Sequence, residues 1–416
     1  MKVVIVGSGV AGLALAVALR RAGIDYVIVE RAAELSFVGA GIQLSPNATR
    51  ILARMQVLEH LQERLVRPGQ HRFVDWRDAS ALLTTPLGQN VEKTFGAIYA
   101  HAHRADLLNG LLAALGDLSK VKLGTEVVHV DQNATGAFAQ CADGTVVRGD
   151  VLIAADGVRS QIREQMFAPG TPRHSGCMAW RGLTPAADIS DLGFQRDSYI
   201  WMGPARSMVI YYVAGGEMLN WIGSGPSDGV TRESWTTQAS VAEALHEFSG
   251  WHPMVRGLIE RSAVPYKWAL YDREPLDTWI RGRIGLIGDA AHAMLPYHAQ
   301  GAAQCIEDAW ILARALEQAG KDWALALQRY ESLRQPRTRQ VQEASRAAER
   351  LFHLQDDAAV ARRNQRFADA QRRIGRGFPP GQEWLFAYDA EKAVTGNDAQ
   401  WQSLGWSGAA PPPTQA

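Results

Sequence analysis

Short apolar runs alternate along the chain with longer amphipathic segments, a pattern typical of proteins whose strands and helices pack in layers. Residues 2–6 (KVVIV) predict a buried strand, residues 11–22 a helix, and residues 26–30 (YVIVE) a second strand. Such a βαβ unit of about 30 residues implies a parallel sheet with right-handed crossovers.

The middle of the chain is rich in predicted strands. Residues 121–153 predict sheet structure with a hairpin at Asp143-Gly144. Tryptophan and tyrosine become frequent in residues 175–275, which predicts a separate antiparallel sheet that walls a pocket, with an ordinary aromatic core as the alternative. A buried strand returns at residues 284–289 (IGLIGD), so the first sheet is expected to resume after an insertion.

The C-terminal part predicts helices over residues 301–319, 322–352 and 353–375, and the proline-rich residues 407–416 predict a disordered tail. The N-terminal apolar run superficially resembles an export signal. Because three glycines interrupt the run and Arg20-Arg21 end it, a strand, a turn and a helix explain it better.

Composition narrows the possible functions. The chain has 416 residues, 47% hydrophobic and 21% charged, with no net charge, so nothing suggests a nucleic-acid groove or an anionic membrane as partner. Its three cysteines are widely spaced and form no CxxC pair, which disfavours a zinc site or a disulfide framework. We therefore expect a cytoplasmic protein with reduced thiols and no metal.

A glycine-rich turn joins the first predicted strand to the first predicted helix. In GSGVAG (residues 7–12), Gly7 allows the tight turn, Gly9 lets a pyrophosphate approach the backbone, and Gly12 lets the helix pack close to the strand. Free amides at the start of the helix would face the phosphates. Glu30, at the end of the second strand, can accept hydrogen bonds from both ribose hydroxyls. This order predicts a dinucleotide site, for FAD or for NAD.

Two further aspartates each follow a predicted buried strand. Asp156 begins DGVRS (residues 156–160), and Asp289 lies in GDAAH (residues 288–292). In open α/β sheets, ligands bind in the crevice at the carboxyl ends of the strands, where both aspartates are expected. Taken singly, each aspartate is as readily explained as a helix cap.

Together, GSGVAG, DGVRS and GDAAH resemble, in order and spacing over nearly the whole chain, the class A FAD-dependent aromatic hydroxylases, which are flavoprotein monooxygenases. Three more segments are similar to the salicylate hydroxylase-like branch, which includes 3-hydroxybenzoate and 6-hydroxynicotinate hydroxylases. These segments are AWRGL (179–183), KWALYDREP (267–275) and PYHAQGAAQCIEDA (296–309).

The resemblance implies an α/β fold with a Rossmann-type FAD-binding domain, an inserted mixed β-sheet substrate domain and C-terminal helices. We expect the FAD-binding domain at residues 1–174 and 276–330, the substrate-binding sheet at 175–275, a helical region at 331–406 and the tail at 407–416.

The resemblance also implies which residues hold the cofactor. The expected FAD contacts are Gly7, Gly9, Val10, Ala11, Gly12, Glu30, Arg31 and Val127 on the ADP side, Asp156 and Gly157 near the pyrophosphate, and Arg104, Gly288, Asp289, Gly301, Ala302 and Ala303 toward the flavin. Arg159 is a candidate for handling NAD(P)H. A helix that begins at Gly301 has a physical reason of its own, because its N-terminus stabilises negative charge on reduced flavin.

Enzymes of this class reduce FAD with NADH or NADPH and trap oxygen as a flavin C4a-hydroperoxide, which an electron-rich ring attacks. The implied substrates are a phenol, a phenolic acid such as salicylate or hydroxybenzoate, or an N-heteroaromatic such as hydroxynicotinate. A phenol reacts better as phenolate, so the protein usually places a base near the ring, commonly histidine. The sequence leaves NADH and NADPH open, because Glu30 binds FAD.

The chain departs from its relatives at the position of that base. In this branch a histidine often stands four residues before a pocket tyrosine; here Tyr211 is kept, but Ser207 occupies the histidine position. Serine cannot act as a base unaided. Three explanations stay open: His298 takes the role, Tyr211 does so through a proton relay, or the substrate needs no deprotonation.

Strand alternation puts Ser207 and Tyr211 on one face, and with Pro296 and His298 of the PYHAQG loop they are the predicted substrate contacts. Arg181 is a further candidate substrate contact, because a guanidinium can bind a carboxylate through two parallel hydrogen bonds.

Arg206 is a second candidate for the carboxylate, and for both arginines the alternative is a solvated side chain or an ion pair at a strand edge. His292, within GDAAH, is expected only to shape its loop.

Three other functions are alternatives for a flavin-binding chain of this kind. A flavin halogenase on this fold is disfavoured because its tryptophan-rich WxWxIP segment is missing. An FAD-dependent reductase or dehydrogenase that does not use oxygen is the main alternative, and a non-catalytic flavin-binding protein is the third. We expect a monomer or homodimer that acts on a small aromatic molecule and molecular oxygen.

Overall fold

The computed structural model describes residues 1–35, 39–167, 170–227, 237–374 and 382–396, so the predicted tail at 407–416 lies outside the described residues. The strands are β1 (Lys2–Val6), β2 (Asp25–Val29), β3 (Gly41–Leu44), β4 (Gln70–Asp75), β5 (Ala81–Pro86), β6 (Ala100–His103), β7 (Val121–Lys122), β8 (Val127–Asn133), β9 (Gly136–Cys141), β10 (Val146–Gly149), β11 (Val151–Ala154), β12 (Arg173–Pro185), β13 (Ser198–Gly203), β14 (Arg206–Val213), β15 (Met218–Pro226), β16 (Tyr266–Asp272), β17 (Ile280–Arg281) and β18 (Ile284–Leu286). The helices are α1 (Val10–Arg21), α2 (Pro46–Arg54), α3 (Gly88–Phe95), α4 (Arg104–Leu115), α5 (Gln161–Met166), α6 (Val241–Glu247), α7 (Pro253–Glu260), α8 (Asp289–His292), α9 (Gly301–Ala319), α10 (Trp323–Phe352), α11 (Asp357–Ile374), α12 (Glu383–Phe386) and α13 (Ala390–Thr395).

A six-stranded sheet, in the order β17-β18-β11-β1-β2-β7, forms the first layer. Its strands are parallel except at the β17–β18 edge. They are buried as apolar runs because helices such as α1 and α9 pack against the sheet. The predicted return of the chain to this sheet is confirmed, since β18 pairs with β11. The predicted hairpin at Asp143-Gly144 also forms, between β9 and β10.

A seven-stranded sheet, in the order β16-β12-β15-β14-β13-β4-β5, forms the second layer. It is mixed, because β13 pairs with β4 in parallel while the other pairs are antiparallel. The hairpin β4–β5 lies in the part of the sequence expected to belong to the FAD-binding domain. The structure therefore differs from the expected boundaries, because strand alternation does not reveal which distant partner a hairpin joins.

The two faces of this second sheet are covered differently. On one face, Trp180, Trp201, Trp221 and Trp251 pack with helices α6 and α7, so these tryptophans form core and do not wall a pocket. Trp268 lies on the opposite face. We call that opposite face the pocket face, because the predicted substrate contacts on these strands point from it.

Helix α10 connects the two layers. It has 30 residues and is therefore about 45 Å long. Its first half packs against α9, and its last turn, at Ala348 and Phe352, packs on the pocket face. The expected boundary at residues 330 and 331 falls inside this helix. Among the described helices, none combines the length and apolar character needed to cross a membrane.

Candidate active site

The glycines of GSGVAG meet the surroundings that their predicted roles require. Gly7 has φ +106°, and a Cβ there would lie 2.5 Å from the carbonyl oxygen of Ala155. A Cβ on Gly12 would lie 1.9 Å from the carbonyl oxygen of Gly7, so only glycine lets α1 pack this closely. Nothing in the described chain lies within 4 Å of a Cβ on Gly9. The turn thus offers an open approach to the amides at the start of α1, where Val10 follows.

Glu30 follows β2 beside this turn. Its carboxylate accepts hydrogen bonds from the backbone N–H and the hydroxyl of Ser8, both at 2.8 Å, and from the N–H of Ala32 at 2.9 Å. These bonds hold the carboxylate at the edge of the sheet, where a ribose would reach it. Arg31 is exposed next to it, and Val127 begins β8, partly buried.

Asp156 follows β11 at the same edge. Its Oδ1 is buried and has no hydrogen-bond partner among the described residues, and burial raises the pKa of the carboxyl. A buried, unpaired oxygen is rare in proteins and fits a donor group on a ligand. Gly157, with φ +83°, turns the chain after it, and Arg159 is exposed on the same loop.

The GDAAH turn is fixed by a buried carboxylate. Asp308 Oδ2 accepts the N–H of Gly288 at 2.8 Å and lies 2.6 Å from Nε2 of His292. A Cβ on Gly288 would lie 2.8 Å from the Cβ of Ala11, so this turn touches the start of α1. Asp289 is exposed at the N-terminus of α8. His292 shapes the loop, as expected.

Helix α9 begins beside this turn. A Cβ on Gly301 would meet nothing within 4 Å in the described chain, whereas Ala302 is partly buried and Ala303 fully buried. The N-terminus of this 19-residue helix, where the first amides have no partner within the helix, therefore lies beside the GDAAH turn. Arg104 is exposed at the start of α4. Burial, followed by the charge of Arg104, lowers the pKa of Arg181, so the two side chains lie near each other. These residues together fit FAD.

Two buried arginines that the sequence reasoning missed tie the motifs together. Arg163 donates to the carbonyl oxygens of Ala290, at 3.2 Å, and Ala291, at 2.8 Å. Arg273 donates to the carbonyl oxygen of Val158 at 3.0 and 2.8 Å. Arg273 lies in the KWALYDREP segment, which was a usable signal. No pattern marks Arg163.

On the pocket face, the strand register arranges side chains in rows across the second sheet. The central row contains Ile222, Val209, Ile200 and Phe73 on adjacent strands, with Arg181 at its end. Ile222, Val209 and Phe73 are partly exposed although they lie mid-sheet. This apolar row is a surface on which an aromatic ring can pack.

A polar row follows, two residues along each strand, and we call it the tyrosine row: Asn220, Tyr211, Ser198 and His71. All are buried, and Asn220 Nδ2, Ser198 Oγ and His71 Nε2 have no hydrogen-bond partner among the described residues. Burial raises the pKa of Tyr211 well above its ordinary value, so its phenol stays protonated. His101, from β6, packs against Tyr211 with ring centres 4.5 Å apart. No sequence signal marked His101 as a neighbour of Tyr211.

Ser207 lies two residues from the central row on the other side. Its Oγ is 3.0 Å from Oγ of Ser224 and 3.0 Å from Nε2 of His353, and Ser224 Oγ is 3.1 Å from the same nitrogen. His353 follows the last turn of α10, 146 residues further along the chain. The sequence pattern could not reveal this contact, because it depends on how α10 packs on the sheet.

The two candidate arginines lie on opposite faces. Arg181 is 7% exposed on the pocket face, with its guanidinium 5.3 Å from the ring centres of both Tyr266 and Trp268. Arg206 instead forms an ion pair with Glu247 at 2.7 Å on the side of α6. Of the two interpretations that the sequence left open for Arg206, the structure shows the ion pair at the strand edge and not the carboxylate contact, because strand alternation turns Arg206 away from the pocket face.

A single 3-10 turn, Pro296–His298, lies over the pocket face. Tyr297 packs on the central row with Leu295 and Phe352. His298 is partly exposed; burial lowers its pKa to about 4, so the imidazole is uncharged at neutral pH. Burial, followed by the proximity of His298, lowers the pKa of His71 to about 4 as well.

Comparison with known proteins places these features in context. The family model described as FAD binding domain matches residues 1–345. The 3-amino-4-hydroxybenzoate 2-monooxygenase of Streptomyces cremeus is 36% identical over 371 residues, covering 89% of this chain and 92% of that protein. The 6-hydroxynicotinate 3-monooxygenase of Pseudomonas fluorescens is 35% identical over 352 residues, covering 83% and 90%. A salicylate hydroxylase substrate complex superposes with a TM-score of 0.79 at 25% identity, covering 95% and 97% of the two chains.

Proposed function

The chain belongs to the FAD-binding family of class A flavin-dependent aromatic hydroxylases, and from this premise we propose that its substrate is a monocyclic aromatic acid that also carries a ring hydroxyl or amino group. The protein is an FAD-dependent aromatic monooxygenase. The named relatives support this activity over the oxygen-independent reductase that the sequence left open.

We propose that FAD is held by the residues at the carboxyl edge of the six-stranded sheet. The open turn at Gly9 and the amides of α1 receive the pyrophosphate, Glu30 the ribose, and Asp289 with the N-terminus of α9 the flavin side. When bound, FAD supplies the redox chemistry with which NAD(P)H and molecular oxygen hydroxylate the ring. Arg159 stays a proposal for contact with NAD(P)H.

The protein's own task is to orient the ring and exclude water from it. The ring would pack on the partly exposed side chains of Val209 and Ile222 in the central row, beside Tyr297 of the turn at Pro296–His298. Apolar contact on both sides of the ring removes water from the reacting edge. Polar groups then fix the orientation of the ring: Arg181 at one end of the row, and the polar side chains two residues to either side of the row along the strands.

The position of Arg181 is the observation that supports an aromatic acid as the substrate. Its guanidinium lies over two aromatic rings with a second arginine nearby, so this end of the row is positively charged and suits the binding of a carboxylate. A substrate carboxylate would meet this charge at the end of the central row.

At the tyrosine row, Tyr211 donates its phenolic proton to a substituent of the ring, and Ser207 contacts the substrate from the other side of the ring. We propose that His298 accepts the proton of a ring hydroxyl. It is uncharged at neutral pH and therefore has a lone pair available. The polar atoms of the tyrosine row that have no partner within the described chain are further groups for such a substrate to satisfy.

The test is substrate-stimulated NAD(P)H oxidation with matched ring pairs. The acids are 4-hydroxybenzoate, 3-hydroxybenzoate, 3-amino-4-hydroxybenzoate and 6-hydroxynicotinate; the partners are the same rings without the carboxyl group. We expect acids alone to stimulate turnover and to give hydroxylated product by chromatography. In Arg181→Met, KM for the best acid should rise about 10- to 100-fold, the size of a lost charged hydrogen-bond pair.

Arg72→Met is the matched control. Arg72 lies in the same sheet but on the opposite face, 6.0 Å from the ring centre of Tyr199 and paired with Asp197. Its loss should leave KM within about twofold. If the carboxyl-free rings are turned over as well as the acids, or KM in Arg181→Met matches that of Arg72→Met, the acid substrate is wrong.

A further inference from the structure

A polar cluster lies on the side of the central row opposite the tyrosine row, which we call the serine end of the site. This serine–histidine cluster consists of Ser207, Ser224 and His353. The three polar atoms form a triangle with sides of 3.0, 3.0 and 3.1 Å. Ser207 and Ser224 are 2% and 6% exposed, on the pocket face, whereas His353 is partly exposed. The triangle therefore runs from the pocket face toward the outside of the protein.

The surroundings of His353 come from four elements. Its Nδ1 lies 3.7 Å from Sγ of Cys177 on β12, and its ring packs edge-on against Tyr297 with centres 5.4 Å apart. Glu349, on α10, contacts Cys177, and Arg206, on β14, is the nearby cation. Burial, followed by the charge of Arg206, lowers the pKa of His353 to about 4, so its imidazole is uncharged at neutral pH.

The distance from Ser207 to the tyrosine row matches the length of a small substituted aromatic ring. Ser207 and Tyr211 are four residues apart on one strand and point to the same face, so their Cα atoms are separated by about 13 Å. That distance accommodates one benzene ring with a polar substituent and a hydrogen bond at each end. Val209, partly exposed between them, is the apolar surface under the ring.

From this geometry we infer that His353 is a proton-accepting positioning residue, which acts through Ser207 on an ionisable substituent of the bound ring. The inference rests on the proposed aromatic acid substrate and adds to it a second ionisable end. His298 and His353 then serve different substituents, one near the tyrosine row and the other at the serine end.

The step is a balanced transfer of one proton. The substituent's O–H bond breaks and its proton passes to Oγ of Ser207, while the proton that Ser207 carries passes to Nε2 of His353. The substituent is left as an anion and His353 as a transient imidazolium, which loses a proton to water because burial keeps its pKa at about 4. Loss of the Nδ1 proton leaves the remaining proton on Nε2, and exchange with water between the two ring nitrogens restores the starting tautomer.

A ligand that reports its own ionisation tests the inference without turnover. In the FAD-loaded enzyme, 4-hydroxy-3-nitrobenzoate is titrated by absorbance, because its phenol and phenolate absorb differently. We expect the apparent pKa of the bound phenol to rise by about one unit in His353→Gln and in Ser207→Ala, a tenfold change in its ionisation constant. The Kd of this probe should change less than threefold at a pH where its phenol is protonated.

Rescue and control variants separate this role from a structural one. Ser207→His in the His353→Gln background should restore the bound pKa, because it returns an imidazole to the pocket face. His60→Gln, at an exposed histidine far along the chain, should match the wild type. FAD content and the unfolding temperature verify that each variant is folded.

An unchanged bound pKa in both His353→Gln and Ser207→Ala would overturn the inference. Failure of the probe to bind the wild type would instead count against the aromatic acid substrate. The pH profile of kcat, measured with whichever ring stimulates NAD(P)H oxidation, then decides: loss of its acid limb in His353→Gln supports the inference, and an identical profile rejects it.

Discussion

Two glycines of one turn, three residues apart, meet opposite surroundings. A Cβ on Gly9 faces open space, and its backbone φ of −71° suits alanine; a Cβ on Gly12 would overlap the carbonyl oxygen of Gly7. We therefore expect Gly9→Ala to fold normally and to lose FAD, with Kd raised at least about tenfold. Gly12→Ala should lower the free energy of unfolding of the apoprotein by about 2 kcal/mol or more, because α1 must move.

Fluorescence titration with FAD and urea unfolding of the apoprotein separate these two effects. In Gly9→Ala the free energy of unfolding should stay within about 0.5 kcal/mol of the wild type. Equal destabilisation of the two variants would show that Gly9 is needed for packing and not for the approach of the cofactor.

Replacement of His298 tests its proposed role as a base. His298→Gln should lower kcat for a hydroxylated acid by about 10²-fold or more, with little change in KM or FAD content, because glutamine keeps a polar contact but accepts no proton. His246→Gln, at an exposed histidine of α6 on the other side of the sheet, is the control. Near-normal turnover in His298→Gln would remove it from that role.

At the scale of single residues, the sequence predicted those residues whose role depends only on neighbouring positions in the chain. The roles of Gly7 and Gly12 follow from a turn of six residues, and their surroundings agree with that prediction. The absence of a histidine at Ser207 was visible as well. Its neighbour His353 was not, because no periodicity links two residues that meet only through the packing of a helix on a sheet.

Among the elements, α8, α9 and α10 share one buried charge network. Burial alone raises the pKa of Asp308, but His292 and Arg334 lower it by more, so the carboxylate stays charged. Asp308→Ala would leave Arg334 without the partner that now lies 2.7 Å away. We expect a loss of about 3–5 kcal/mol in the free energy of unfolding, measured in urea.

The control is Glu317→Ala, which removes an exposed carboxylate of the same helix. Glu317 pairs with Arg314 at the surface, and its loss should change the free energy of unfolding by less than about 1 kcal/mol. If both variants lose the same small amount, the buried network does not hold these helices together.

Elements with strong local patterns were predicted well. The strand at residues 2–6 and the helix at 301–319 have the predicted bounds, since apolar runs and helical periodicity are local signals. The partner of the β4–β5 hairpin was not predictable, because β4 pairs with β13, more than a hundred residues away. The role of the tryptophans in the second sheet was ambiguous for a related reason. A strand pattern does not show which face of the sheet is covered by helices.

The whole molecule should lose stability in mild acid. Burial lowers the pKa of His71, His298 and His353 to about 4 and that of His101 to about 3, from an ordinary 6.5. As pH falls from 6.5 toward 4, the unfolded chain binds protons that the folded chain does not, so the free energy of unfolding falls. Urea midpoints at pH 7.5, 6.0 and 5.0 should decrease in that order.

A variant with one fewer buried histidine checks the cause of that decrease. His101→Gln should be less stable at pH 7.5 but should show a smaller decrease between pH 7.5 and pH 5.0. Midpoints that do not change with pH in the wild type would contradict the explanation. The carboxylates Glu307 and Asp308, whose pKa values lie below the ordinary 4.5 and 3.8, add their own loss only at lower pH.

Helix α10 limits how this enzyme can be recombined with its relatives. A chimera that exchanges only residues 175–275 would take the strands of Ser207 and Tyr211 but leave behind His353 and the β4–β5 hairpin. The transplantable unit comprises four separate pieces of chain: the hairpin, the strands from β12 to β16, the turn at Pro296–His298, and the last turns of α10. Substrate preference should follow all four pieces when they are moved together. It should fail to transfer when the strands are moved alone.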